Sequence, residues 1–333
     1  MTHYDVFNGD ADGLCSLHQL RLAKPLDSIL VTGLKRDISL LHRVAAQKGD
    51  TVTVLDVSAA ANHVDLVRLL EQGVLVEYWD HHHAGTLPTH PNLKTHIDLS
   101  ADTCTGIIVD GTLGGRFRAW AVVAAFGDNM EIPARRLAAS LQLSERAVEQ
   151  LRELGQLLCY SAYGDDESDL IVSALALYEQ MREFTDPFRF LAEAHVLERI
   201  RSQRDDDLDK AAALRPDFEL PGATVFTLPE GAWSRRVRGE LANLLANRSP
   251  CMAHAVLTPK GAEHYCVSIR APLASPEGAD LICRRFPTGG GRRAAAGIND
   301  LLRSDVPRLL EVLEQAYPSP APTITRSPND DSA

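Results

Sequence analysis

Two short runs concentrate the groups able to do chemistry: Asn8-Gly9-Asp10-Ala11-Asp12-Gly13 and Asp80-His81-His82-His83. Carboxylate oxygens suit hard divalent cations such as Mg²⁺ or Mn²⁺, and an imidazole in the set shifts the preference toward Mn²⁺. Two such cations roughly 3.5–4 Å apart clamp a phosphoryl group and activate an in-line water. Asp56 could bridge two cations, His81 would ligate one, and the Gly127-Asp128-Asn129 turn offers a further ligand. Taken singly these signals are weak. An Asp-x-Asp-Gly run is a common turn, a loop aspartate after a strand is usually a helix cap or solvated, and a histidine run can be a surface cluster. Their joint placement is what points to a site.

The placement follows from the elements around them. Apolar, β-branched runs predict strands at 4–7, 29–32, 52–55 and 74–79, with helical patterns at 13–23, 37–48 and 62–72 between them. Strand–helix alternation with such short connections implies parallel βαβ units in a doubly wound sheet. Ligands of such sheets collect at the carboxyl ends of strands. Asp10 and Asp12, Asp56 and Asp80 fall at that end of three different strands. Further on the pattern is mostly helical, with segments at 103–113, 117–127, 133–141, 144–160, 168–184 and 187–204. Arg204 to Lys210 reads as a solvated helix end or connector, and Pro216 and Pro221-Gly222 punctuate the chain. A strand at 223–228, a helix at 234–247 and strands at 253–257 and 264–270 then predict a smaller C-terminal α/β domain.

The expected organisation is a metal-binding domain over 1–205, a linker over 206–216, a second domain over 217–316 and a disordered tail over 317–333. The net charge of −11 argues against diffuse attraction to long nucleic acid. Six scattered cysteines without a CxxC pair argue against a zinc ribbon or disulfide framework and suit a reducing compartment. The start lacks a signal-peptide profile, and no stretch approaches the roughly 18 apolar residues needed to span a bilayer. The expected location is the cytoplasm. Gly289-Gly290-Gly291 reads as a loop whose backbone N–H groups reach an anion, with Arg270, Arg292 and Arg293 adding charge. Arg235, Arg236 and Arg238 read as a solvated helix face, and Tyr78-Trp79 as core.

In Asp10-Ala11-Asp12-Gly13, Leu55-Asp56, Asp80-His81-His82 and Gly127-Asp128 the chain resembles the DHH phosphoesterase superfamily. That superfamily includes the exonuclease RecJ, nanoRNases, cyclic dinucleotide phosphodiesterases and family II pyrophosphatases. Val267-Ser268-Ile269-Arg270 and the run from Gly289 to Gly297 resemble its DHHA1 substrate-binding domain. The resemblance covers about residues 4–300. It implies two divalent cations, Mn²⁺ first and Mg²⁺ second, held by Asp10, Asp12, Asp56, His81 and Asp128. It further implies that His82 contacts the scissile phosphate, that Asp80 orients its histidine neighbours, and that the activated water attacks without a covalent enzyme intermediate. His83 is given no role.

Two departures stand out. Val6 occupies a position where many relatives carry a metal-binding histidine, with Asn8 nearby as a weak substitute or a substrate contact. Arg292 stands where the second domain usually has the histidine of Gly-Gly-His, and its planar fork suits a phosphate or carboxylate. The expected activity is hydrolysis of a phosphoester in a small nucleotide, cyclic dinucleotide or short oligonucleotide. The alternatives are a RecJ-like single-strand exonuclease, a pyrophosphatase, or a nucleotide-binding regulator without turnover. The expected partner is a small phosphorylated substrate, with a homodimer allowed and neither long nucleic acid nor a membrane expected.

Overall fold

The computed structural model describes residues 1–318, which fold as two compact units divided between Asp205 and Asp206. In the first unit β1 (His3–Phe7), β2 (Ile29–Val31), β3 (Thr51–Leu55), β4 (Leu75–Asp80) and β5 (Leu93–Ile97) form one sheet in the order β2-β1-β3-β4-β5. Every pairing in it is parallel. The helices are α1 (Ala11–Ala23), α2 (His63–Glu71), α3 (Thr105–Thr112), α4 (Arg118–Gly127), α5 (Glu131–Ser140), α6 (Glu145–Ser161), α7 (Ala174–Met181), α8 (Pro187–Glu193) and α9 (His195–Ala212), the last of which continues past the division into the second unit.

Side chains of a strand alternate between faces, and here each face has its own core. Val6, Val54 and Tyr78 pack with Leu66 and Leu69 of α2. Phe7, Leu55 and Trp79 pack with Leu14 and Leu17 of α1 and Trp120 of α4. Helices therefore cover both faces, as a doubly wound sheet requires. Phe7 pairs with Leu55, and Leu55 with Trp79. The next residue along each strand path is Asn8, Asp56 and Asp80, so the register sets three polar residues side by side at the carboxyl end of the sheet.

Several expectations are corrected. The helix over 37–48 is a loop with a single turn at Leu41–Arg43. Its backbone is held by the Asn62 side chain, which accepts from Leu40 N (2.9 Å) and Leu41 N (3.0 Å) and donates to the Ile38 carbonyl (2.7 Å). Strand β5 was not expected. The helix over 187–204 is two helices, α8 and α9, and α9 runs on to Ala212 through the whole of the charged stretch and into the expected linker.

The second unit contains β6 (Phe218–Glu219), β7 (Ala223–Thr227), β8 (Ala253–Lys260), β9 (His264–Arg270), β10 (Gly289–Gly291) and β11 (Ala295–Leu302), in the order β10-β11-β9-β8-β7-β6. The β7–β8 pair is parallel, and the other pairs are antiparallel. The helices are α10 (Ala232–Arg248), α11 (Ala279–Cys283) and α12 (Val306–Ala316). Val225, Ala255 and Val267 pack with Leu309 and Leu313 of α12, while Val256 packs with Val237 and Leu241 of α10. Arg236 is not solvated. It is buried and donates from Nε to the buried Asp207 (2.8 Å), because an unpaired charge at that depth would be costly. Tyr317, assigned to the tail, is buried and donates to the Glu277 carbonyl (3.0 Å). The rest of the expected tail, 319–333, lies outside the described residues. Among the described residues no helix is long and apolar enough to cross a membrane.

Candidate metal centre

The first motif turns straight from β1 into α1. Asp10 is the N-cap, its Oδ1 accepting from Asp12 N (3.0 Å) and Gly13 N (3.3 Å). Gly13 is required by contact, not by dihedral angles. A Cβ there would lie 2.1 Å from the Asn8 carbonyl oxygen, inside the turn. Asp12 points into the molecule, where its two oxygens accept from Thr105 N (2.8 Å) and Gly106 N (2.7 Å) in the first turn of α3. Both amides belong to the helix start, where backbone N–H groups have no partner within the helix, and the carboxylate supplies one.

Asp56 leaves β3 with φ +59°, a left-handed conformation uncommon outside glycine. The residue is 3% exposed and accepts from the Thr105 hydroxyl (3.3 Å). His81 follows β4, and Asp128 caps the end of α4. These four residues converge. His81 Nε2 lies 3.3 Å from Asp128, 3.5 Å from Asp56 and 3.8 Å from Asp12, yet it is buried and has no hydrogen-bond partner. An imidazole nitrogen facing three carboxylates without a hydrogen bond is a donor set that fits a divalent cation of the Mn²⁺ type. Two groups of side chains have donor atoms close enough together to share an ion: Asp12 with His81 and Asp128, and Asp56 with His81 and His82. Asp80 is fully buried and sits behind His82, whose Nδ1 lies 2.8 Å from it.

Electrostatics mark the same place. Burial, reinforced by the negative charges of Asp12, Asp10, Asp128 and Asp80, pushes the Asp56 carboxyl well above the usual range. Asp128 is raised by burial and by Asp12, with Lys35 opposing. Asp10 is the exception. Burial would raise it, but the Lys35 ammonium beside it holds it low. The hydrogen bond to Asp80 raises His82 and favours its imidazolium form.

The raised Asp56 carboxyl holds its proton more tightly than a free one, and a cation competes with that proton. Mn²⁺ binding to the metal-free protein is therefore expected to release protons and to tighten as pH rises from about 4 toward the elevated Asp56 value. Calorimetry in two buffers of different ionisation enthalpy measures this. A proton count of zero across that range would contradict it.

Of the other expected residues, Asn8 is committed to the framework. Its Nδ2 donates to the Lys35 carbonyl (3.1 Å), and its Oδ1 accepts from Asp10 N (3.1 Å). His83 lies outside both donor groups and accepts from Gly85 N at Nδ1 (3.3 Å). In the second unit the glycine run is an edge strand, not a loop. A Cβ on Gly289 would come within 1.7 Å of the Cys283 carbonyl oxygen, so glycine is needed there for the close approach of α11. Arg292 closes the β10–β11 turn through its backbone, Arg293 pairs with Glu277 (3.0 Å), and Arg270 Nε donates to Asn243 Oδ1 (2.7 Å). Lys35, Thr105 and Gly106 were not foreseen. Lys35 follows β2 at the carboxyl end of the sheet, so the rule that selected the aspartates would also have selected it.

No protein-family model matches the sequence, and no curated protein is similar to it. Solved structures do match. RecJ from Thermus thermophilus in complex with Mn²⁺ is 20% identical, with a TM-score of 0.64 over 96% of this chain, which spans 53% of that protein. A second exonuclease RecJ bound to manganese is 18% identical, with a TM-score of 0.56 over 97% of this chain and 92% of the other. A pGpG-specific phosphodiesterase from Vibrio cholerae is 16% identical, with a TM-score of 0.56 over 95% of this chain and 98% of the other. The chain has the fold of the RecJ exonucleases and of this phosphodiesterase.

Proposed function

We propose that this chain is a cytoplasmic phosphoester hydrolase dependent on a divalent cation, Mn²⁺ ahead of Mg²⁺, acting on a small nucleotide, cyclic dinucleotide or short oligonucleotide. One observation carries the reading: the unpartnered His81 nitrogen at the end of β4, facing Asp12, Asp56 and Asp128. Fold likeness to a phosphodiesterase and to two manganese-bound exonucleases supports it.

A divalent cation held there supplies Lewis acidity toward a phosphoryl oxygen and makes a water a better nucleophile near neutral pH. The protein side chains do the rest. Asp12 is fixed by the two α3 amides, so its charge is aimed before any ligand arrives. Asp80 holds His82 by Nδ1, leaving Nε2 to face a phosphate oxygen and offset the charge that develops on it. Asp56 and Asp128 complete the anionic wall, and Thr105 orients Asp56. In the second unit Arg270, Arg292 and Arg293, with the Gly289–Gly291 strand, are proposed to bind an anionic group.

The test of activity is a panel of pGpG, cyclic dinucleotides, oligonucleotides of increasing length and inorganic pyrophosphate, each with Mn²⁺ and with chelator. Cleavage of the shortest diesters, falling off with length and depending weakly on salt, is the expected result for an acidic chain. Activity that grows with strand length and collapses with salt would favour the RecJ-like alternative. Phosphate release from pyrophosphate alone would favour the pyrophosphatase. Tight nucleotide binding with no cleavage of any member would leave the regulator.

A further inference from the structure

Asp10 differs from the other carboxylates in having no oxygen to spare. Its Oδ1 caps α1 through Asp12 N and Gly13 N, and its Oδ2 is ion-paired with Lys35 Nζ. The same ammonium lies 3.4 Å from Asp128 Oδ1. Lys35 is not on a loose loop. Asn8 Nδ2 donates to its carbonyl (3.1 Å), and its own N–H donates to the Ala162 carbonyl (3.1 Å). Asp37 accepts from Leu34 N (3.2 Å) one residue before it. Among the described residues neither group of donors able to share an ion includes Asp10. The positive charge that Asp10 and one oxygen of Asp128 would otherwise draw from a metal is already there, covalently attached.

We propose that the Lys35 ammonium is a built-in cation on the Asp10 side of the centre, so that the chain binds one divalent ion instead of two. That ion is held by Asp12, Asp56, His81 and Asp128, and Lys35 provides the second positive charge toward a substrate phosphate. The inference rests on the metal-dependent reading above and refines it. A lysine cannot leave with chelator, and its Nζ has three donors, so it can bridge Asp10, Asp128 and a phosphate oxygen together.

The test counts metal. The full chain, Lys35→Met and Lys35→Arg are each equilibrated with Mn²⁺, and bound metal per chain is measured by mass spectrometry beside the electron paramagnetic resonance spectrum. The expected result is one isolated Mn²⁺ in the parent and in Lys35→Arg. Lys35→Met should take up a second Mn²⁺ and show the exchange-coupled signal of a close pair. Two coupled ions in the parent would overturn the proposal while leaving the metal-dependent reading intact. One ion in all three proteins would overturn it as well, because Lys35 would then not be what limits the count. No Mn²⁺ in any of them would remove both. If Lys35→Met fails to fold, the parent and Lys35→Arg still decide between one ion and a coupled pair.

Discussion

Replacing Asp56 with asparagine is expected to cut hydrolysis by about a thousandfold and, in chelator, to make the protein more stable than the parent. Both effects come from one carboxylate. Asp56 is buried, has a left-handed backbone, and stands among Asp12, Asp10, Asp128 and Asp80, all of the same charge. Without a cation this arrangement costs folding energy. Asparagine keeps the shape, tolerates the left-handed conformation better than most residues, and still presents an oxygen to the Thr105 hydroxyl. A gain of about 1–2 kcal/mol is expected, raising Tm by roughly 2–6 °C.

The sign with pH follows from the same displacement. A carboxyl whose folded pKa is raised makes the native state bind more protons than the unfolded state above about pH 4. The metal-free parent should therefore lose stability as pH rises through the window up to that elevated value. Asp56→Asn should lose much of that slope. Thermal melts in chelator at several pH values measure this, and a lower Tm for Asp56→Asn in chelator would contradict it.

The second large effect separates two adjacent histidines. His81 belongs to both donor groups, so His81→Ala should weaken Mn²⁺ binding by about a hundredfold or more and abolish activity. The His82 side chain is 45% exposed, and its Nδ1 is engaged by Asp80. His82→Ala should leave Mn²⁺ affinity within a few-fold of the parent while kcat falls by about 10²–10³. Calorimetric titration with Mn²⁺ and steady-state kinetics on the same preparations distinguish the two. Loss of metal binding in His82→Ala, with His81→Ala unaffected, would reverse the assignment.

The parts of the site that were legible in the sequence are those governed by the strand-end rule. Asp12, Asp56, Asp80 and His81 follow apolar runs whose register aligns their ends, and local pattern suffices to place them. Asp128 was legible only as a turn after an apolar helix. Lys35 stood at the same end of the sheet without being singled out, and its ion pairs join positions far apart in sequence. Thr105 and Gly106 act through backbone amides, which no side-chain motif reports. The loop over 37–48 misled for a tertiary reason: the Asn62 side chain supplies hydrogen bonds that a helix would have made for itself. Arg236 misled likewise, its partner Asp207 lying on a different helix.

Crystals of the protein grown or soaked with Mn²⁺ and measured at the manganese absorption edge test the centre most directly. The account predicts an anomalous peak about 2.2 Å from donor atoms of Asp12, Asp56, His81 and Asp128, with Lys35 Nζ still beside Asp10. Manganese found only on surface carboxylates, with His81 Nε2 left uncoordinated, would contradict it.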